Sequence, residues 1–133
     1  MIDCADDVVY LLAEYHSTAR KRHKCRECHR EIRPGESYLI EKYIDDGICT
    51  HKTCQHCQIV RGWLSAECGG WLYGGVREDI LEHAYEGYGM DVKRMAVGIR
   101  QRWTRKNGAL LPLPRMPKTS HEIAANQASH LCN

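Results

Sequence analysis

The chain has 133 residues, of which 43% are hydrophobic and 27% charged, the balance of one small globular domain. No apolar run approaches the roughly eighteen residues of a membrane span, which excludes an integral membrane protein. Asp3, Asp6 and Asp7 stand where a secretory signal carries bases, so a reducing, cytoplasmic compartment is expected. The formal net charge is only +2, but eight cysteines and eight histidines point to metal.

Residues 3–23 are predicted to form a helix. Val8, Leu11, Leu12 and Tyr15 follow the i, i+3, i+4, i+7 spacing of one helical face. Asp3, Asp6 and Asp7 suit its start, and Arg20, Lys21, Arg22 and Lys24 its end. Cys25-Arg26-Glu27-Cys28 reads as a knuckle, and Pro34-Gly35 as a turn with Gly free to take positive φ. A β-rich run from Tyr38 to Ile44, the turn Asp45-Asp46-Gly47 and a return strand from Ile48 to Thr50 make a hairpin. Thr53 is expected to cap a helix over 54–67, with Ile59, Val60, Trp63 and Leu64 on its apolar side.

Gly69-Gly70 and Gly74-Gly75 break the chain before a helix over 76–87, striped by Val76, Ile80, Ala84 and Tyr88. The most amphipathic segment is predicted as a helix over 91–106. Val92, Met95, Ala96, Ile99 and Trp103 form its narrow apolar face, and Lys93, Arg94, Arg100, Arg102, Arg105 and Lys106 hold the flanks. Asn107-Gly108 ends it. Pro112, Pro114 and Pro117 forbid a helix over 111–117, and residues 118–133, with little periodicity, read as a flexible tail.

An even number of cysteines is compatible with a disulfide framework, but in a reducing compartment paired Cys-x-x-Cys spacings hold zinc. Two such pairs, with no βαβ pattern around them, argue against a thioredoxin-like redox motif. Cys25-x2-Cys28, twenty-five residues, then Cys54-x2-Cys57 supplies four thiolates, enough to close a tetrahedral Zn²⁺ shell with no open position. The symmetry of the pairs favours this set, with His51 left open as the alternative fourth ligand in place of Cys57. Knuckle, hairpin and ligand-bearing helix form the layout of a treble-clef finger. One structural zinc is expected and no second site; Cys49, His56, Cys68 and His83 read as buried or surface residues, and Cys4, Cys132, His121 and His130 as uninvolved. The fold class is therefore α+β: a treble-clef-type finger packed with an N-terminal helix and two later helices, in a single zinc-stabilised domain over 1–110.

The run Cys25-x2-Cys28-x22-His51-x2-Cys54-x2-Cys57 resembles the first half of a LIM domain and the zinc fingers of poly(ADP-ribose) polymerases. That resemblance implies a Cys-Cys-His-Cys set, here Cys25, Cys28, His51 and Cys54. The same run, with Trp63-Leu64, Cys68-Gly69-Gly70-Trp71-Leu72, Glu78-Asp79, Glu82-His83, Trp103-x-Arg105 and Leu113-Pro114, is similar to small zinc-finger-like proteins of tailed bacteriophages and prophages. It implies a bacterial cytoplasm and a regulatory, host-directed role.

Charge is polarised along the chain. Residues 1–87 carry 11 Lys+Arg against 15 Asp+Glu, whereas residues 88–133 carry 8 against 2. Within the first part, residues 20–33 hold seven bases and two acids. Two basic stretches of this kind are the footprint of a phosphate-backbone binder. Arg94, Arg100, Arg102, Arg105 and Lys106 are the candidate contacts, to nucleic acid or to a host protein. Trp63, Trp71, Tyr73 or Trp103 and the Leu111–Pro114 segment are candidate anchors for a protein partner. The sequence contains no His-Glu-x-x-His, Gly-x-Ser-x-Gly or Walker loop, so no enzyme, small-molecule substrate or membrane partner is expected.

Overall fold

A computed structural model describes residues 10–131. The protein is α+β, built on a three-stranded antiparallel sheet of order β1-β4-β5, where β1 is Tyr10–Thr18, β4 Ser37–Ile44 and β5 Ile48–Cys54. A two-stranded ladder pairs β2, His23–Lys24, with β3, Glu31–Ile32. Among the described residues four helices follow: α1 Gln55–Cys68, α2 Val76–Tyr85, α3 Met90–Arg100 and α4 Ser120–Leu131.

The β4–β5 hairpin turns where expected, with Asp46 and Gly47 at φ 57° and 112°. Gly35 likewise takes φ 93° behind Pro34, and Glu36 N–H closes the turn on the Arg33 carbonyl at 3.1 Å. The register sets Glu41 opposite His51 and Leu39 opposite Thr53, so these four side chains share the sheet face that α1 covers. The hydrophobic core gathers Tyr38 and Ile40 of β4, the four cysteines of the two Cys-x-x-Cys pairs and the inner sides of the helices, where Val60, Trp63, Leu64, Val76, Ile80, Val92, Met95 and Ile99 are all buried.

The N-terminal helix predicted over 3–23 is corrected: the described part, from Tyr10, is a strand, and residues 3–9 and Cys4 lie outside the described residues. The helical spacing of Leu11, Leu12 and Tyr15 buries nothing, since all three are about half exposed. Pairing along the free edge of β4, from Tyr10 opposite Ile44 to Thr18 opposite Ser37, supplies hydrogen bonds that outweigh local periodicity. A bulge between Leu11 and Ala13 shifts the strand's alternation.

Three further boundaries differ. Cys54, not Thr53, is the α1 N-cap, and no side chain caps that end. The helix predicted over 91–106 stops at Arg100, because Arg102 and Trp103 turn left-handed at φ 55° and 54°. That reversal returns Trp103 N–H to the Gly98 carbonyl at 2.8 Å and lays the indole across Gly98. The predicted face is nonetheless buried, Trp103 included. The segment read as a flexible tail contains α4, which opens on a reciprocal cap: Glu122 N–H donates to Thr119 Oγ1 at 3.2 Å and Thr119 N–H to Glu122 Oε1 at 3.5 Å. Glu67 of α1 accepts from Ser120 N–H at 2.6 Å and Ser120 Oγ at 2.8 Å, which anchors the new helix.

Candidate metal centre

The knuckle forms because His29 takes φ 66°, allowing His29 N–H to reach the Cys25 carbonyl at 3.0 Å and Cys25 N–H the Arg30 carbonyl at 2.9 Å. Arg26 N–H bonds the Lys52 carbonyl at 2.9 Å and so ties the knuckle to the end of β5. That bond helps to bring together two cysteine pairs far apart in sequence. One thiolate pair then sits in the knuckle, and the other flanks the first turn of α1, where the unpaired N–H groups favour negative charge.

The Sγ atoms of Cys25, Cys28, Cys54 and Cys57 all lie within 4.8 Å of one another, and all four residues are buried. Cys28 Sγ and Cys54 Sγ are 3.8 Å apart. Four sulfurs at about 2.3 Å from a central zinc stand about 3.8 Å from one another, so the cluster fits a tetrahedral ion. Glu27 N–H and Cys54 N–H both point at Cys25 Sγ at 3.4 Å, donors that stabilise a thiolate there. Without a cation the four cannot all ionise. Burial raises the Cys54 thiol, but hydrogen bonds from Cys25, Cys28 and Cys57 outweigh it and hold it well below its ordinary value. Burial and hydrogen bonds with Cys25, Cys28 and Cys54 push Cys57 well above. A divalent cation resolves that conflict, and the four cysteines could hold one.

His51 is not brought to the cluster. Its Nε2 faces Glu27 Oε2 at 2.9 Å, and its ring packs edge-on against Tyr73. Glu27 is 1% exposed and also accepts from Arg61 Nη2 at 3.2 Å, Gly74 N–H at 3.0 Å and Val76 N–H at 3.2 Å. Burial raises its carboxyl, yet these partners, His51 foremost, hold it below the usual carboxylate range. Arg61 continues to Glu41 Oε1 at 2.6 Å, and Tyr73 O–H donates to Glu41 Oε2 at 2.9 Å. Glu27 thus links the knuckle to the start of α2. In the sequence it looks like one more charge in a basic run, and nothing local distinguishes it.

Arg30, one of the seven bases of residues 20–33, is also buried. It grips Glu36 through Nη1 and Nη2 at 3.0 and 2.7 Å and lies beside His56 Nδ1. Burial opposes its charge, but Glu36 and the nearby Cys54 and Cys28 raise its pKa, so it offsets the cluster rather than serving a partner. Arg94, Arg100, Arg102, Arg105 and Lys106 are exposed, with Arg94 3.5 Å from Asp91. Arg33 Nη2 donates to the Gly108 carbonyl, which places the knuckle's basic run against the loop that carries Arg105 and Lys106. Trp63 and Trp103, expected as partner anchors, are buried in the core instead.

Of the remaining cysteines and histidines, Cys49 donates to the Asp45 carbonyl at 3.6 Å, and His56 Nε2 donates to that of Leu111 at 2.7 Å. Cys68 and His83 are brought together, Sγ to Nε2 at 2.9 Å, a contact their irregular spacing did not announce. No described helix is long and apolar enough to cross a membrane. No protein family, characterised protein or solved structure matches the chain.

Proposed function

We propose that the four-cysteine cluster is a structural Zn²⁺ site of treble-clef type, with Cys25, Cys28, Cys54 and Cys57 as ligands, and that it stabilises a module binding a nucleic-acid backbone. Four buried sulfurs within 4.8 Å of one another support zinc, and closure by four thiolates leaves no position for a reacting water. The Arg33–Gly108 contact carries the nucleic-acid reading. It sets the end of the base-rich stretch over 20–33 against the loop that carries Arg105 and Lys106. In this reading Arg94, Arg100, Arg102, Arg105 and Lys106 meet phosphates, and the protein is a phage-encoded regulator in a bacterial cytoplasm.

Binding of the zinc-loaded protein to a fluorescein-labelled DNA duplex, its single strands and an RNA of the same sequence, titrated with salt, tests this. Each phosphate contact steepens the log–log salt dependence by about 0.9 on duplex DNA. Replacing Arg102, Arg105 and Lys106 with Gln should flatten the slope by up to about three times that value. No binding to any of the three at low salt removes the reading.

A second reading is capture of a host protein by a zinc-stapled body. It is favoured by β1, an edge strand that leaves Tyr10, Leu11, Leu12 and Tyr15 44% or more exposed. Polar replacement of Leu11 and Leu12 would then abolish co-purification of a stoichiometric partner from nuclease-treated host lysate. Such a partner retained unchanged would count against it.

A further inference from the structure

We propose that Cys68, His83 and Asp79 form a nucleophilic thiol site that takes the acyl group of a thioester whose acyl portion carries a positive charge. The site lies apart from the cysteine cluster and does not depend on the nucleic-acid reading. Cys68 closes α1 and is exposed to solvent; His83 and Asp79 lie one turn apart on α2. Cys68 Sγ is 2.9 Å from His83 Nε2. On the other side of the ring, Nδ1 is 2.7 Å from the Asp79 carbonyl and 3.2 Å from Asp79 Oδ1. Two acceptors at Nδ1 place the proton there and turn the Nε2 lone pair toward the thiol. Trp63 and Tyr88 pack against the imidazole, with ring centroids 5.4 and 5.3 Å away, so its orientation is fixed. Nucleophile, base and orienting carboxylate are thus in the order that activates a side chain for attack.

The thiol needs that base. Partial desolvation against α2, with the charges of Asp79, Glu67 and Glu86, pushes the exposed Cys68 above its ordinary value, so at neutral pH it is protonated. Once His83 removes the proton, a thiolate of high basicity is also a strong nucleophile.

Cys68 opens onto a groove of about 610 Å³. The loop after α1 contributes Gly70, Trp71 and Leu72, and α2 contributes Glu78, Asp79 and Glu82. A Cβ at Gly69 or Gly70 would meet nothing within 4 Å, so a carbonyl can approach the backbone beside the sulfur. Three acids and an apolar wall suit an acyl group with a lysine- or arginine-like cation and an apolar substituent. Arg77 approaches Glu78 at 3.6 Å but does not line the groove.

In the reaction Cys68 Sγ bonds to the thioester carbonyl carbon while its proton passes to His83 Nε2. The carbonyl–sulfur bond of the donor breaks, and the leaving thiolate takes that proton. Water, deprotonated by His83, then cleaves the Cys68 thioester to a carboxylic acid and restores the thiol. The net change is hydrolysis of one thioester, without oxidant or further co-reactant.

The test uses the full zinc-loaded chain and the thiobenzyl ester of benzyloxycarbonyl-lysine, with its Nε-acetylated counterpart as the neutral control. The expected result is release of benzyl thiol and an acyl adduct mapped to Cys68. Cys68→Ala and Cys68→Ser should abolish the adduct there with unchanged melting curves. His83→Gln, and Asp79→Asn where the first variant does not fold, should slow acylation by about a hundredfold or more, the usual contribution of a general base. The acetylated ester should react several-fold more slowly. The proposal is overturned if Cys68 reacts no faster than Cys49. It is equally overturned if folded His83→Gln matches the wild type, or if Cys68 and His83 prove to bind a second equivalent of zinc that Cys68→Ala loses.

Discussion

Glu27 and Val76 are 49 residues apart in the chain, yet the Glu27 carboxylate accepts the Val76 N–H at 3.2 Å at the very start of α2. The same buried carboxylate neutralises Arg61 and holds His51. Glu27→Ala leaves a buried guanidinium short of one partner, and should cost about 3–5 kcal/mol, the usual loss on breaking a buried pair. Denaturant unfolding of the zinc-loaded proteins measures this. A midpoint equal to that of the wild type would show that the network contributes nothing to stability.

The proposed zinc site makes a sharp distinction between two residues. Cys57→Ser should lower zinc content and destabilise the chain, because structural zinc contributes on the order of 10 kcal/mol of apparent binding free energy to small modules. His51→Gln should retain one equivalent of zinc per chain, since His51 faces Glu27 and not the sulfurs. Metal analysis after gel filtration distinguishes them, and loss of zinc in the histidine variant would restore His51 as a ligand.

Gly98 has no room for a side chain. A Cβ there would stand 2.2 Å from Trp103 Cζ3, and the buried indole has little freedom to move. Gly98→Ala should therefore cost about 1–3 kcal/mol by overpacking. At Gly89, by contrast, a Cβ meets nothing within 4 Å and φ is −64°. Gly89→Ala should cost less, about 0.5–1 kcal/mol, and only because Gly89 is the α3 N-cap, where Ala is the poorer residue. Thermal melts of the two variants, side by side, check the pair.

Acid should weaken the Glu36–Arg30 pair in a defined direction. Burial raises the Glu36 carboxyl, but Arg30 and the Arg33 N–H outweigh it and hold it below its ordinary value. A carboxyl depressed in the folded state stabilises fully above its unfolded pKa, about 4.3, and loses that contribution as pH falls through the lower folded value. The stability gap between wild type and Glu36→Gln should be constant above about pH 6 and shrink progressively below about pH 4.3. Melts in excess zinc follow this, and a gap that widens on acidification would contradict the assignment.

The parts of the molecule that were legible in the sequence are those specified locally. The two Cys-x-x-Cys pairs single out the four residues that meet, Asp-Gly marks the hairpin, and the stripes of Val60, Trp63 and Leu64 and of Val92, Met95 and Ile99 face the core. β1 was not legible, because a strand with most residues exposed on both faces shows no alternation. Its chance helical spacing then misled. α4 carried a readable sign, Thr119-x-x-Glu122, but no apolar stripe beside it. Glu27, Arg30, Arg61 and the Cys68–His83 contact depend on partners 6 to 49 residues away, and a charged side chain looks the same in sequence whether paired or solvated.

The left-handed turn at His29 has a reach beyond the knuckle it closes. By setting the knuckle, it sets Glu27; through Glu27 it fixes where α2 begins, and α2 carries both His83 and Asp79. The sulfur cluster and the Cys68–His83 contact are therefore connected through the backbone that starts α2, whose first N–H groups rest on Glu27. One chain of contacts thus runs from the sulfur cluster to the Cys68–His83 pair, and the carboxylate of Glu27 is its middle link.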